Sequence, residues 1–192
     1  MKDYFPRKER IVISAIDIID EMGLHELSLR ELARRQGISD AALYRHYESK
    51  EAIILAVLDY YSRYDEHIAE SVLNRGMPPG EGILFFVNSI VEAYESYPAL
   101  TSIVYSLEVL TREDAAVSKV KDIFRFRSGF IIRLVEQGQE QGSITDKISC
   151  EDLADMILGV KRVVTLKWRM EKYGFSLKQR IISAVEALLG FC

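Results

Sequence analysis

The chain has 192 residues and a net charge of −4, and 48% of its residues are apolar. A chain of this length can bury the core of one large or two small domains without disulfides or metals, and its apolar content excludes intrinsic disorder. No apolar run reaches the length of a membrane span, and the start MKDYFPRKER is too charged for a secretory signal peptide. We therefore expect a cytoplasmic protein that has no part in the membrane.

The first predicted helix follows a short arm, residues 1–6, and runs to about Met22. Ile11, Ala15 and Ile18 share one stripe at helical spacing, and Gly23 is the expected stop. We expect this apolar stripe to pack behind the two helices that come next.

Residues 28–50, SLRELARRQGISDAALYRHYESK, predict two short helices joined by a tight turn. Ser28 and Glu31 have the spacing of a capping box, in which the hydroxyl accepts from the Glu31 N–H and the carboxylate accepts from the Ser28 N–H. Gly37 can take the positive φ of a helix end, and Ser39 caps the second helix. This pattern is typical of a helix-turn-helix, whose second helix enters the major groove of DNA.

The same segment is basic within an acidic chain. It carries five basic and three acidic residues, a local charge of +2 that leaves −6 for the rest. The net charge alone argues against a polyanionic partner, but the positive charge is concentrated where DNA would lie.

The rest of the chain predicts a second helical domain, residues 49–192, after a DNA-binding domain of residues 1–48. Ser49 caps a helix that is expected to continue to about Leu73, and the segment NRGMPPGEG is expected to form a loop over residues 74–82. Further helices are predicted over residues 82–97, 99–112, 113–141, 149–172 and 176–189. The predicted fold class is all-α, with an N-terminal three-helix helix-turn-helix domain followed by a helical domain for ligand binding and dimerisation.

Apolar spacing predicts which faces of the later helices are buried. The buried face of helix 113–141 is expected to comprise Phe124, Ile131, Leu134 and Val135, and helix 149–172 has one stripe that includes Met156. The last helix carries a main stripe with Ile182 and Leu189 on an adjacent one, which is more apolar surface than one neighbouring helix covers. A two-fold dimer is the natural consequence.

The N-terminal pattern resembles the TetR family of bacterial transcriptional regulators. In that family a helix ends in Gly, a capped helix and a Gly-Ile/Val-Ser turn follow, and a Leu-Tyr segment then leads to His/Tyr, Phe/Tyr and Lys. Any small three-helix domain would share the caps and the apolar spacing, but not the whole pattern. The positions that match are Gly23, Ser28, Leu32, Ala33, Gly37, Ile38, Ser39, Leu43, Tyr44, His46, Tyr47 and Lys50.

The resemblance implies that residues 39–46 form the DNA-reading helix. Tyr44, His46 and Lys50 would hold phosphates. The residues that would face base edges are Arg30, Asp40, Ala41, Ala42 and Arg45. The candidate DNA-binding residues are Ser28, Arg30, Ser39, Asp40, Ala41, Ala42, Tyr44, Arg45, His46 and Lys50.

Three of these candidates differ from the usual donors in a DNA contact. Ala41 and Ala42 donate no hydrogen bond, so they would contact thymine methyl groups instead. The Asp40 carboxylate repels phosphate unless it accepts a hydrogen bond from a cytosine amine. Its presence here is a departure from the family pattern.

The resemblance also implies that the last two long helices of each subunit pair as a four-helix bundle and that the middle helices enclose a ligand pocket. Ordinary core packing is the alternative for every aromatic candidate. Arg127, Lys161 and Arg162 lie among apolar residues and could bind an anionic head group or extend to solvent. The pocket candidates are Phe86, Tyr94, Tyr105, Phe124, Arg127, Phe130 and Trp168.

Catalysis has little support in the sequence. His25, His46 and His67 lack the spacing of metal ligands, and there is no nucleophile elbow or glycine-rich phosphate loop. Cys150 and Cys192 also lack ligand spacing and are expected to be packing or surface thiols. We expect no cofactor, no metal and no enzymatic activity.

The predicted function is a homodimeric transcriptional repressor that binds double-stranded operator DNA and is released by a small apolar or amphipathic effector, such as a fatty acid or an acyl thioester. One alternative keeps the fold but has no ligand, as in a DNA-bound interaction protein such as a nucleoid-associated division inhibitor. Another is a lipid-carrying helical protein that has lost DNA binding, against which Tyr44, His46 and Lys50 argue.

Overall fold

A computed structural model describes the backbone of residues 6–110 and 114–190 and the side chains of residues 6–106 and 116–190. All the regular elements in these ranges are helical, which confirms the predicted fold class. A short 3₁₀ turn at Leu24–Glu26 accompanies ten α-helices: α1 (Arg7–Met22), α2 (Leu29–Gln36), α3 (Asp40–Tyr44), α4 (Lys50–Ser62), α5 (Asp65–Asn74), α6 (Pro79–Ser96), α7 (Leu100–Leu110), α8 (Asp114–Glu140), α9 (Cys150–Met170) and α10 (Leu177–Leu189).

The chain forms two compact units. The first contains the described residues up to Arg63 and those within Tyr97–Ile123, and the second contains Tyr64–Ser96 with the described residues from Phe124 onward. None of the helices in these described ranges is both long and apolar enough to cross a membrane. The proposed boundary after residue 48 remains a prediction.

Helix α1 is the centre of the first unit, where it packs against α2, α4 and α7. Its residues Ile11, Ala15 and Ile18 are fully buried, as their spacing predicts. The hydroxyl of Tyr97, just before α7, donates to Asp17 at 2.5 Å and so joins the start of α7 to α1. Burial, followed by this hydrogen bond, raises the pKa of Tyr97 well above its usual value.

The predicted helix ends around the turn are confirmed because they depend on contacts within four residues. The Ser28 and Ser39 hydroxyls accept from the N–H groups of Glu31 and Ala42, both at 3.2 Å. Gly37 has φ of 62°, a left-handed conformation that glycine adopts without the steric cost of a Cβ.

Two details of the predicted helix-turn-helix are wrong. The Glu31 carboxylate accepts from Arg34 and Arg35 instead of reaching back to Ser28, because the two guanidinium groups lie on the next turn of the same helix. The second helix is also shorter than predicted, since α3 ends at Tyr44 and Arg45 is its C-terminal cap.

The predicted long helix of residues 49–73 is broken into α4 and α5. The break at Arg63 and Tyr64 contains neither glycine nor proline, so the sequence carries no stop signal there. Tyrosine, serine and aspartate, which are weak helix formers, cluster at the break, and the new helix begins with Asp65 buried.

The predicted loop of residues 74–82 is too long, because α6 begins at Pro79. Proline suits the first turn of a helix, where its missing N–H would have had no partner within the helix. The other predicted helices are present, and the predicted end of helix 99–112 lies outside the described residues, as do the arm before Pro6 and Cys192.

In the second unit, α10 packs against both α6 and α9. Leu177, Ile181, Val185 and Leu189 are its buried residues. Leu189 therefore faces the interior, and Ile182 is half-buried. As predicted, the apolar surface of α10 is more than one helix covers, since two helices of the same unit pack against it.

The exposed apolar surface lies instead on α9. Met156, Val163, Leu166 and Met170 are 43% to 74% exposed, and their spacing of three, four or seven residues places them on one face. The prediction that Met156 belongs to a buried stripe is therefore wrong. The same holds for Phe124, which is 47% exposed, whereas Ile131, Leu134 and Val135 of α8 are buried as predicted.

Candidate DNA-binding surface and effector site

Helix α3 is held by one buried side chain and exposes the rest of its surface. Leu43 is fully buried, while Asp40, Ala41 and Tyr44 are exposed and Ala42 is half-buried. Small residues at the start of the helix leave its backbone open to close approach by another molecule, and the helix-turn-helix uses such a surface in the major groove.

The basic residues of the helix-turn-helix fall into two groups. Arg34 forms a two-pronged ion pair with Glu31 at 2.7 Å, and Arg35 bridges Glu31 and Glu21 at 3.0 and 2.7 Å. The hydrogen bonds from Arg34 and then Arg35 lower the pKa of Glu31 to about 2. These two arginines therefore have a structural role within the first unit.

Arg30 and Arg45 form the other group. Both are exposed, and neither forms an ion pair with a residue that the structure describes. Arg30 stands at the start of α2 and Arg45 at the end of α3, so the two free guanidinium groups lie at separate points around the reading helix. Each has donors available for a phosphate or a guanine edge.

The three predicted phosphate ligands lie at and beyond the end of α3. Tyr44 is 51% exposed, while His46 and Lys50 are half-buried. The Lys50 ammonium donates to the Leu24 carbonyl at 3.5 Å, a long hydrogen bond that leaves other N–H groups available. The structure thus places these three residues at and just beyond the end of α3, and their roles toward DNA remain predictions.

A groove of about 500 Å³ runs beside this surface. Ser28, Arg30 and Asp40 of the predicted set line it, together with Met22 and Ile38. Asp40 and Arg30 therefore line the same groove, together with Glu26, Glu31 and Arg34.

One positioning contact was missed from the sequence. The Gln36 amide donates to the buried Ser14 hydroxyl at 2.6 Å and to the Arg10 carbonyl at 3.3 Å. These hydrogen bonds join the end of α2 to α1 and so help to orient the turn that follows. These partners of the Gln36 amide lie 22 and 26 residues away, so a local pattern could not have found the contact.

The second unit has a buried ion pair between α5 and α8. The Arg127 guanidinium donates from Nε and Nη2 to the two carboxylate oxygens of Asp65, at 2.7 and 3.1 Å. Both side chains are buried. A two-pronged pair of this geometry is among the stronger charged contacts in proteins, and in a buried setting it is needed to offset desolvation.

Lys161 of α9 is buried beside this pair. Its ammonium lies 6.0 Å from the centre of the Tyr94 ring and forms no ion pair with the carboxylates that the structure describes. Burial, followed by repulsion from Arg127, lowers the pKa of Lys161 to about 7, while attraction to Asp65 opposes the shift. The predicted alternative, extension to solvent, is wrong for Arg127 and Lys161, whereas Arg162 is half-buried.

The aromatic residues that were predicted to line a ligand pocket do not surround a single pocket. Phe86 and Phe130 pack together in the core with ring centres 4.8 Å apart, and Trp168 donates from its indole to the Phe175 carbonyl at 2.9 Å. Tyr94 is buried near Lys161, Phe124 is exposed, and Tyr105 belongs to the first unit. Their roles toward a ligand remain predictions.

A cavity of about 290 Å³ lies between α5 and α8. Its apolar walls are Ala69, Leu73, Phe126 and Phe130, and Glu66, Glu70, Arg125 and Arg133 lie at its edges. Of the predicted pocket residues, Phe130 is the one found in this lining. The volume is at the lower end of the range for small-molecule sites.

A capped helix-turn-helix with an exposed reading helix, in a chain with a separate helical unit, defines a DNA-binding regulator of the helix-turn-helix class. Matches to two family models identify the family of regulators to which the chain belongs. The sequence model of the bacterial regulatory proteins of the tetR family matches residues 11–57, and that of the C-terminal region of YsiA-like proteins matches residues 63–190. The chain belongs to the TetR family of transcriptional regulators.

Individual relatives are similar over nearly the whole chain. The transcriptional repressor DhaR of Mycobacterium sp. (strain GP1) is 23% identical, with 96% of this chain and 93% of DhaR covered. The fatty acid metabolism regulator protein of Bacillus subtilis (strain 168) is 21% identical, and the alignment covers 98% of this chain and 97% of that protein. Such relatives are transcriptional regulators and not enzymes.

A solved structure with a bound ligand has the same fold. FadR of Bacillus subtilis in complex with stearoyl-CoA superposes with a TM-score of 0.79 at 20% identity, covering 95% of this chain and 97% of that one. At this identity the likeness establishes the fold and leaves the ligand of the present protein open.

Proposed function

We propose that this TetR-family regulator is a repressor that binds a two-fold operator through α3 and leaves it when an anionic amphipathic effector enters the second unit. The DNA-binding part of the proposal is supported by a difference between two pairs of arginines in the helix-turn-helix. Arg34 and Arg35 are engaged with Glu31, while Arg30 and Arg45 are exposed beside α3 and free of ion pairs with described residues.

Arg45 is the proposed base-reading residue. Arg45→Ala is expected to weaken binding by about 1 to 3 kcal/mol at one or two base positions, because a guanidinium can donate two hydrogen bonds to a guanine edge. Selection of binding sites from random DNA measures this effect as a relaxed preference at those positions. If the variant and the wild type recovered the same motif, Arg45 would not read bases, and Arg30 would become the candidate for that role.

Lys50 is proposed to hold a phosphate. Lys50→Ala is expected to weaken binding to every DNA sequence by a similar factor, since a phosphate contact carries no base information. The slope of log affinity against log salt should fall by about 1 for the phosphate contact that is lost. A changed sequence preference in Lys50→Ala would contradict this role.

The effector part of the proposal is supported by charge in the interior of the second unit. Arg127 and Lys161 are both buried, and Asp65 forms an ion pair with Arg127. An anionic group beside Lys161 would offset the desolvation of its ammonium. The bound stearoyl-CoA of the Bacillus subtilis FadR structure is an amphipathic molecule with negative charge, which fits this class of effector.

The ligand-free interaction protein is the second candidate function. It is favoured by the close packing of Phe86 against Phe130 and by the modest volume of the cavity between α5 and α8. A core already filled by its own side chains has little room for a long acyl chain unless helices move apart.

Titration with fatty acids and acyl thioesters separates the two functions. Trp168 is the only tryptophan, so its emission reports on α9 in the second unit. An effector should change this emission and release operator DNA over the same concentration range, because a ligand shifts the equilibrium only by preferring one state. The absence of any compound that does both would favour the ligand-free protein.

A further inference from the structure

The cavity between α5 and α8 is a groove that follows the seam between these two helices. Asp65 of α5 binds Arg127 of α8. Further along, Val72 of α5 and Leu134 of α8 both lie against Gly82. Val72 follows Asp65 by seven residues, and Leu134 follows Arg127 by seven. The two helices therefore lie side by side and run in the same direction along the groove.

The floor of this groove is apolar, and one part of it lacks a side chain. Ala69 and Phe130 are buried there, Phe126 is half-buried, and Leu73 is 48% exposed. Gly129 belongs to the same lining, and a Cβ at this position would meet no atom within 4 Å outside its own stretch of helix. The groove therefore has room for a small apolar group beside Gly129.

Charges of opposite sign border the two sides of the groove. Glu66 and Glu70 are exposed on α5, one turn apart, and Arg133 is exposed on α8. None of these three side chains forms an ion pair with a residue that the structure describes. The two carboxylates repel each other at this spacing, so the α5 side is suited to a cation. The Arg133 guanidinium can donate two hydrogen bonds to a carboxylate on the α8 side.

The direction of the helices brings both signs of charge within reach of one small molecule. Because Asp65 is level with Arg127, Glu70 is level with Arg133 to within about one residue, or ~1.5 Å along the seam. Glu66 lies one turn nearer to Asp65. Since Glu70 and Arg133 do not pair with each other, a ligand that carries both charges can lie between them.

We propose that this groove binds a small zwitterion with an apolar side chain, of the chemical class of the aromatic amino acids. Glu66 and Glu70 bind its ammonium group, Arg133 binds its carboxylate, and the apolar side chain lies beside Gly129. This inference goes beyond the proposed function, because the proposed effector is an anion and Lys161 is not part of the lining of this groove.

A zwitterion fits the groove better than a simple anion or a simple cation does. A fatty acid would bring a carboxylate close to Glu66 and Glu70 without pairing either of them, and an amine would leave Arg133 unpaired. The rings of Phe126 and Phe130 also attract an ammonium group that lies near them. A volume of about 290 Å³ suits a small ligand and not a long acyl chain.

Calorimetry on the full chain with L-phenylalanine, phenethylamine and hydrocinnamate tests this site. The three probes share a phenyl ring, while phenethylamine lacks the carboxylate and hydrocinnamate lacks the ammonium group. L-phenylalanine should bind about tenfold or more tightly than either analogue. Arg133→Gln should reduce its affinity to that of phenethylamine, and joint replacement of Glu66 and Glu70 by glutamine should reduce it to that of hydrocinnamate.

Gly129→Leu tests the position of the apolar group. The new side chain fills the groove without a clash and replaces a weak helix former by a strong one, so the fold should be kept. This variant should lose binding of L-phenylalanine, while its circular dichroism and its unfolding transition show that it is folded. The matched charge control is Glu140→Gln, at an exposed position of α8 outside the groove, which should bind L-phenylalanine normally.

Three results would overturn the inference: equal affinity for the three probes, no binding of L-phenylalanine, or binding that Gly129→Leu leaves unchanged. The proposed function is judged by a separate result. Fatty acids or acyl thioesters that release operator DNA would support it even if L-phenylalanine did not bind, and binding of L-phenylalanine in the groove would support this inference even if no amphipathic anion released DNA.

Discussion

Asp65→Asn is expected to lower the free energy of unfolding by about 3 to 5 kcal/mol. The substitution keeps the shape of the side chain and removes its charge, so the buried Arg127 and Lys161 lose the attraction of the Asp65 carboxylate. Their mutual repulsion and the lost two-pronged hydrogen bonds act in the same direction. Urea unfolding followed by circular dichroism measures the loss.

A second substitution identifies the cause of this loss. Lys161→Met in the Asp65→Asn background should recover a large part of the stability, because the repulsion between Lys161 and Arg127 is gone. The matched control is Glu92→Gln, which breaks an exposed pair with Lys178 and should cost less than about 1 kcal/mol. Equal losses for Asp65→Asn and Glu92→Gln would mean that burial of the Asp65 pair has no energetic weight.

Glutamate at both Val163 and Leu166 is expected to produce a monomer and to weaken operator binding by roughly 10²- to 10⁴-fold. Both side chains are exposed within a single chain and lie on the apolar face of α9, so charges there should leave the fold of each subunit intact. In a two-fold dimer the same face would be buried against its copy. Each subunit carries one α3, so loss of the dimer removes the gain from binding two half-sites together.

Sedimentation and DNA titration measure the two effects separately. The control replaces Gln137 and Gln141 by glutamate, which adds the same charge at exposed positions of the same unit. That control should remain a dimer with normal operator affinity. A Val163 and Leu166 double variant that still sedimented as a dimer would locate the interface elsewhere.

The charged interior and the exposed face of α9 have the same functional implication. A buried lysine beside an ion pair is unfavourable for folding, and an apolar stripe on the surface is unfavourable for solubility. Both features become favourable when a partner is present, an anion for Lys161 and a second subunit for α9.

The sequence by itself determined the features that depend on short-range contacts. The hydroxyl caps of Ser28 and Ser39 and the left-handed turn at Gly37 act over no more than four residues, so spacing alone predicts them. The family pattern around these caps also indicates the class of protein. The break after Ser62 was not predicted because no glycine or proline marks it.

Only the tertiary structure decided which charges are available and which faces are buried. Arg35 is engaged by Glu21, 14 residues away, and Arg127 by Asp65, 62 residues away. Helical spacing places Phe124 and Arg127 on neighbouring positions of α8, yet Phe124 is exposed and Arg127 is buried. The physical reason is that periodicity describes one helix, whereas burial and pairing depend on which other helices pack against it.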